Sequence, residues 1–283
     1  MVVKTYKPHT PSRRFMIGYD FSDLTKNKRP EKSLTKSLKS SWGRNNTWRI
    51  TSRFMGNGHK KLYRVIDFKG YDKANIPAKV ASVEYDPYRT SRIALLNFAD
   101  GEKRYVLAWK NITVGEKILY GNDAPIQSGN RKQLKDIPEW VNVFNVEVTP
   151  FSEGKLAKSA WSYASIVGKD EATNLVFLKL SSGEVRKFNQ NCRATIGEIG
   201  NDQHQNVVIG KAGRQRRLGI KPHILGKSQN PCDHPHGGWE GHTEVGLKKG
   251  PKSFSGKVVA PGIKTRKKKK WSTKFIVNKR TKN

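Results

Sequence analysis

The stretch "RIALLNFADGEKRYVLAW" (residues 92–109) gives the clearest indication of the fold class of this chain. Two apolar runs flank a polar segment in which Asp100 and Gly101 form a dipeptide typical of tight hairpin turns. The preceding "KVASVEYD" (79–86) alternates apolar and polar residues, and "VGEKI" (114–118) indicates a turn into a short strand. About five short strands with glycine turns suffice for a small closed barrel, so this region predicts an all-β barrel.

A second run of strand-like sequence begins near residue 140. "NVFNVEV" (142–148) alternates, "SYASIV" (162–167) follows, and "NLVFLKLSSGEVRKF" (174–188) predicts a hairpin around Gly183. The polar segment "GNRKQLKDIP" (129–138) lies between the two runs and is predicted to be a linker. Neither half has a helical hydrophobic period longer than a turn or two, so we expect two β modules in tandem with little helix.

Charge divides the chain into three parts. The whole chain has 55 Lys and Arg against 23 Asp and Glu, a net charge of +32. Residues 1–61 have 15 basic and 3 acidic residues, residues 62–200 have 20 and 16, and residues 201–283 have 20 and 4. The two ends thus carry most of the excess, which favours a polyanionic partner over a merely solvated surface. With only 35% hydrophobic residues, part of the chain is expected to be ordered by that partner.

Other features of composition exclude several classes of protein. Two cysteines, Cys192 and Cys232, are too few for a disulfide framework and suit a reducing compartment. No apolar stretch is long enough for a signal peptide or a membrane span, so a cytoplasmic location is expected. Aromatic residues alternate with cations at Trp42, Trp48 and Trp271, where they could stack on unpaired bases or pack locally.

The segment "NPCDHPHGGWEG" (230–241) concentrates chemically active side chains and admits three interpretations. The first is a metal site, with candidate ligands Cys232, Asp233, His234, His236 and Cys192, although no CxxC or HxxxH spacing is present. The second is nucleophilic catalysis by Cys232 with His234 as base, although neighbouring residues on an extended chain usually point in opposite directions. The third, which the basic flanks favour, is a rigid loop of prolines and glycines held against a polyanion.

Six segments resemble the bacterial-type family of large-subunit ribosomal proteins numbered two (the L-two family, universal large-subunit protein two). They are "GRNNTWRITSRFMGNGHKKLYRVIDFK" (43–69), "IPAKVASVEYDPYRTSRIALLNFADGEKRYVLA" (76–108), "NCRATIGEIGN" (191–201), "GKAGRQRRLG" (210–219), "NPCDHPHGG" (230–238) and "KTRKKKKWSTKFIVNKR" (264–280). The resemblance extends over nearly the whole chain. The chain departs from the family pattern at Phe54 and Asn57, and at Trp239 where a glycine is expected.

The resemblance implies an all-β core, with an OB-fold-like barrel followed by an SH3-like barrel and long irregular basic extensions at both ends. The expected boundaries are an N-terminal extension at 1–61, the first barrel at 62–125, the second at 126–200 and a C-terminal extension at 201–283. It also implies a structural constituent of the large ribosomal subunit, not an enzyme, that binds rRNA near the peptidyl-transferase centre. Family members are associated with subunit association, tRNA binding and peptide-bond formation.

The implied partners are large-subunit rRNA, neighbouring ribosomal proteins, the small subunit through an intersubunit bridge and, indirectly, the tRNA region, with no membrane. The expected location is the ribosome in the cytoplasm, with an organelle ribosome left open. No cofactor or metal site is expected in the protein itself, and the binding of Mg²⁺ through the rRNA is left open. Two rival classes remain, a ribosome-independent RNA chaperone and a metal-dependent enzyme.

The candidate RNA-binding residues come from both extensions, where arginine suits phosphates and base edges and lysine supplies charge. They are Arg44, Asn45, Asn46, Arg49, Arg53, His59, Lys60, Lys61, Lys211, Arg214, Arg216, Arg217, His234, His236, Lys267, Lys268, Lys269 and Lys270. His234 matches the family histidine linked to peptide-bond formation. We expect its role to be indirect, through the organisation of RNA, and no residue is predicted to be catalytic.

Overall fold

The computed structural model describes residues 3–239, 250–259, 263–267 and 269–279. Short strands dominate this part of the chain. They are β1 (Val3–Thr5), β2 (Ile17–Tyr19), β3 (Thr35–Ser37), β4 (Leu62–Arg64), β5 (Ala78–Glu84), β6 (Ile93–Phe98), β7 (Lys103–Leu107), β8 (Lys117–Ile118), β9 (Arg131–Gln133), β10 (Asn142–Phe144), β11 (Val146–Glu147), β12 (Gly154–Leu156), β13 (Ala164–Asp170), β14 (Leu175–Leu180), β15 (Val185–Asn189), β16 (Arg193–Ile196) and β17 (Ile276–Asn278).

Helices are few and short in the described residues. Two are α-helical, α1 (Pro11–Arg14) and α2 (Ala212–Arg217). The 3₁₀ segments are Lys32–Leu34, Tyr71–Lys73, Leu134–Asp136, Asp202–Asn206, Gly226–Ser228 and Trp271–Phe275. No helix among these is long and apolar enough to cross a membrane. The sequence-based expectation of an all-β core with little helix is confirmed.

The first sheet is antiparallel with strand order β7-β6-β5-β8. The hairpin predicted from residues 92–109 is present, with Ile93 opposite Leu107 and Gly101 in the left-handed region at φ +86°. Glycine adopts that conformation without a Cβ clash, so the turn can be tight. The strands bury a core that includes Leu95 and Tyr105, both almost inaccessible to solvent.

The second sheet has strand order β17-β15-β14-β13-β10-β16-β9. Its predicted hairpin joins β14 and β15, with Gly183 at φ +81° in the turn. A separate core lies against this sheet and includes Val143, Ile166 and Leu178, all fully buried. The predicted strand at 142–148 is divided into β10 and β11 at Asn145, whose backbone is left-handed at φ +50°.

The prediction of a linker at 129–138 is wrong. Residues Arg131–Gln133 form β9, which pairs with β16, and the following 3₁₀ turn places Leu134 and Ile137 in the second core at 0% exposure. The turn brings these two apolar residues, three apart in sequence, to the same side. Two of the charged neighbours are buried with partners, since the Lys132 ammonium donates to the Ala124 carbonyl at 2.7 Å and Arg131 pairs with Glu147. The segment is polar in composition, but its residues form a strand of the second sheet and part of the second core.

Both chain ends contribute to folded structure. Strand β17 pairs with β15, with Val185 opposite Asn278, a strand that the sequence did not predict. Near the N-terminus β1 pairs with β2. Thr25 also exchanges two hydrogen bonds with Val83, through its backbone N–H and its hydroxyl oxygen.

The chain divides into two compact units, one of residues 1–39, 60–212 and 274–283 and another of residues 40–59 and 213–273. The four-part division into extensions and barrels stays a prediction.

A buried ion pair joins β9 of the second sheet to β11, which pairs with β12 in a separate two-stranded sheet. Arg131 Nη2 lies 2.8 Å from Glu147 Oε1, and the two side chains are 3% and 0% exposed. Arg131 also donates to the Asn145 carbonyl at 3.0 Å, and Glu147 Oε2 accepts the Arg193 backbone N–H at 3.1 Å. The backbone of Arg131 also forms an isolated parallel β-bridge with Tyr120, a residue of the first core. Since a buried charge is costly without its partner, this pair fixes β9, β11 and β16 together.

We expect Glu147→Gln to lower the free energy of unfolding by about 3 to 5 kcal/mol, because it leaves the Arg131 charge buried and uncompensated. Chemical denaturation of the full chain measures the change. Glu153→Gln is the control, because the Lys69–Glu153 pair is exposed and its loss should cost less than about 1 kcal/mol. Equal losses in the two variants would contradict the special role of the buried pair.

Candidate nucleic-acid interface

The unit of residues 40–59 and 213–273, here called the basic unit, unites two positively charged parts of the chain that residues 60–212 separate in sequence. It contains 18 Lys and Arg against 3 Asp and Glu in 81 residues. Fewer than a third of the residues therefore carry 15 of the 32 net positive charges. Such a density of one sign of charge attracts a polyanion.

Backbone hydrogen bonds join the two parts of the basic unit. The Lys221 N–H donates to the Phe54 carbonyl at 2.8 Å, and the His59 N–H donates to the Arg217 carbonyl at 2.7 Å. Gly58 lies between these contacts at φ +67°, where an added Cβ would come within 2.7 Å of the Gly219 nitrogen. The close approach of the two chains therefore requires a glycine at position 58.

The loop of residues 43–52 holds several predicted RNA-binding residues. Asn45 Oδ1 accepts the backbone N–H groups of Thr47 and Arg49, each at 3.0 Å. The side-chain carbonyl of Asn45 thus organises the loop. At the tip, Asn46 and Arg49 are exposed and Trp48 is 72% exposed, so these side chains are available to a partner.

The other predicted basic residues lie mostly on the surface. Helix α2 exposes Arg214, Arg216 and Arg217, which form no side-chain hydrogen bond or ion pair with the described residues. Arg44 is half-buried, and the exposed ones are His59, Lys60, Lys211, Lys267, Lys269 and Lys270. Of these predicted residues, Lys60, Lys61 and Lys211 belong to the unit that contains the barrels, and Lys268 lies outside the described residues.

Arg53 is held inside the basic unit. Its guanidinium lies 4.8 Å from the centroid of the Phe54 ring and 5.0 Å from that of Phe254, and it donates to Gln229 Oε1 at 3.4 Å. Phe54 also packs on His223, with ring centroids 4.5 Å apart. These contacts give Arg53 a cation–π role within the fold, beyond the RNA contact predicted for it.

The histidines of residues 230–238, here called the histidine loop, accept hydrogen bonds from the backbone. His234 Nδ1 accepts the His236 N–H at 3.0 Å, and His236 Nε2 accepts the Lys252 N–H at 3.0 Å. His236 is buried, and a Cβ at Gly226 would lie 2.5 Å from the His234 ring. Burial lowers the pKa of His234, and the neighbouring His236 and Arg53 lower it further. Both rings are therefore fixed as acceptors, with one nitrogen of each left to donate.

The cysteines have different environments. Cys192 is buried in the second core, and burial raises the pKa of its thiol to about 12. Cys232 is exposed. Among the described residues, no three His, Cys, Asp or Glu side chains are grouped as a metal site would need. Trp239, which replaces an expected glycine, is 86% exposed and so has the space that its indole needs.

Sequence reasoning missed two residues of this interface, Phe254 and Gln229. Phe254 follows Lys252 by two positions, and this is the same alternation of cation and aromatic residue that marked Trp42 and Trp48. Gln229 gives no comparable signal, because its amide is positioned by Arg53 and by the Ile224 carbonyl, to which its Nε2 donates at 3.2 Å.

Together these features define an all-β protein with a strongly basic unit suited to RNA. The chain matches two family models, "Ribosomal Proteins L2, RNA binding N-terminal domain" over residues 31–120 and "Ribosomal Proteins L2, C-terminal domain" over residues 127–256. The chain belongs to the ribosomal protein L2 family. It is a ribosomal protein of the large subunit that binds RNA, with an OB-fold barrel and an SH3-like barrel.

We expect Gly58→Ala to destabilise the basic unit by roughly 2 to 4 kcal/mol, because it combines left-handed backbone strain with a backbone clash. Hydrogen exchange measured over residues 54–59 and 217–221 should become faster. Gly213→Ala is the control, since an added Cβ there meets nothing within 4 Å. In α2 this alanine should be neutral or slightly stabilising. Unchanged exchange in Gly58→Ala would contradict the close approach.

We expect the histidine loop to lose stability as the pH falls below about 6.5, the ordinary His value, toward the lower pKa of folded His234. Because the pKa of His234 is lower in the folded loop than in the unfolded loop, the unfolded loop binds its proton at a higher pH. The contribution of His234 to stability is therefore fully present above about pH 6.5 and is lost as the pH falls below that value. Protonation also removes the acceptor for the His236 N–H. The protection factor of that amide, which corrects for the intrinsic pH dependence of exchange, should fall in acid, and His234→Gln, which does not titrate, should abolish the fall. A His234 pKa above 6.5 by NMR would overturn the prediction.

Proposed function

We propose that this L2-family protein binds large-subunit rRNA near the peptidyl-transferase centre through both parts of its basic unit. The observation that carries the proposal is the concentration of 15 net positive charges in residues 40–59 and 213–273. Each cation placed on a phosphate releases a counterion, so such a unit gains much of its affinity from the RNA backbone. Exposed arginines at Arg49 and in α2 suit phosphates and base edges.

In this proposal the protein is a structural component and has no catalytic group of its own. The support comes from the histidine loop, where the acceptor nitrogens of His234 and His236 are engaged by backbone N–H groups. A ring held in this way can donate a hydrogen bond from its other nitrogen and so position RNA. His234 thus contributes to peptide-bond formation through the arrangement of the RNA.

The proposed partners follow from the family. They are neighbouring ribosomal proteins, the small subunit through an intersubunit bridge, and the tRNA region indirectly. The protein works on the ribosome, without a cofactor of its own and with Mg²⁺ held by the rRNA. Subunit association and tRNA binding are the processes that it supports by fixing the RNA.

The substitution His234→Gln tests the indirect role, because glutamine keeps hydrogen bonding but cannot exchange protons near neutral pH. Large subunits assembled with the variant should bind it normally. They should form peptide bonds within about tenfold of the wild-type rate, which is a much smaller decrease than the removal of a general base would cause. His9→Gln, at an exposed histidine of the N-terminal region, is the control. Normal assembly with peptide-bond formation slowed about a thousandfold would show that His234 acts as a general base.

A further inference from the structure

A groove of about 550 Å³ lies in the basic unit and combines apolar walls with polar groups. Phe54, Phe254 and Ile224 provide apolar surface, and Gln229 and Asp233 provide polar atoms. The volume is in the range of pockets that bind small molecules. An adjoining groove of about 360 Å³ shares the two phenylalanines and is lined by His234 as well.

Phe254 forms a platform in this groove. Its ring is 61% exposed although Arg53 lies 5.0 Å from its centroid. Arg53 is in turn held by the Phe54 ring and by Gln229, so the position of Phe254 is supported by its neighbours. An exposed aromatic ring among many cations is the surface on which single-stranded nucleic acids stack their bases.

Asp233 indicates which part of a nucleic acid enters the groove. It is the one acidic residue among the described residues of the basic unit, and its carboxylate has no hydrogen bond or ion pair within them. A carboxylate repels a phosphate but accepts a hydrogen bond from the amino group of a base. The groove therefore favours a base edge over the backbone of the RNA.

We propose that this groove binds an unpaired nucleobase that has an exocyclic amino group. The base stacks on Phe254 and donates from its amino group to Asp233, while its phosphates lie toward the exposed cations of the basic unit. A base inside a duplex is excluded, because both its faces and its pairing edge are occupied. This assignment rests on the proposed rRNA binding and adds the chemical class of nucleotide that is recognised.

Binding of short single-stranded oligoribonucleotides to the full chain tests the assignment. Oligocytidine and oligouridine of equal length have the same charge, but only cytidine has an exocyclic amino group. Fluorescence anisotropy over a series of salt concentrations gives the affinity and its salt dependence. Phe254→Leu should weaken binding of both oligomers about 5- to 100-fold, because the stacking platform is lost. The slope of log Kd against log salt should stay unchanged, since no cation is removed.

Asp233→Asn is the second variant, and it preserves the shape of an exposed side chain. Because the amide can also donate to a uridine carbonyl, it should reduce the preference for oligocytidine over oligouridine about tenfold. Phe151→Leu, an exposed phenylalanine of the other unit, is the control and should bind both oligomers as the wild type does.

The outcomes separate the two proposals. A wild-type chain that binds neither oligomer in a salt-dependent manner would overturn the proposed RNA binding itself. Salt-dependent binding that neither Phe254→Leu nor Asp233→Asn alters would overturn the groove alone, as expected if the groove held a peptide of a neighbouring protein.

Discussion

The buried pair of Arg131 and Glu147 holds the edge of the second sheet in place. Arg131 lies on β9, the edge strand, Glu147 lies on β11 of a separate two-stranded sheet, and both side chains are almost inaccessible to solvent. Its remaining hydrogen bonds reach Asn145 and the backbone of Arg193, so one ion pair positions three strands. Two buried charges are tolerated because each compensates the other and because backbone groups of Asn145 and Arg193 provide further hydrogen bonds.

A different constraint governs the basic unit. There the chain has few buried apolar side chains and much like charge, which opposes compaction. Backbone hydrogen bonds between residues 54–59 and 217–221, together with the packing of Arg53 against the Phe54 and Phe254 rings, hold the two parts together. The cost of concentrating positive charge is offset when a polyanion binds, so the same charges that weaken the free unit provide its affinity for RNA.

Local signals predicted much of the barrels. The hairpins at Gly101 and Gly183 were found because alternation and turn residues lie within a few positions of each other. The segment at 129–138 was misinterpreted because its charged residue Arg131 is buried against Glu147, a partner that no local pattern indicates. Strand β17 was missed for a similar reason, since its three residues become a strand only through pairing with β15.

The all-β character, the unequal distribution of charge and, through the resemblance, the L2 family follow from the amino-acid sequence alone. Each of these depends on composition or on residues close together in the chain. Folding of the whole chain was needed to show that Arg53 packs against Phe54 and Phe254, that the histidines accept backbone hydrogen bonds, and that Asp233 lines an aromatic groove. Those contacts join segments as far apart as residues 53 and 254, and no local pattern specifies which distant groups will meet when the backbone closes.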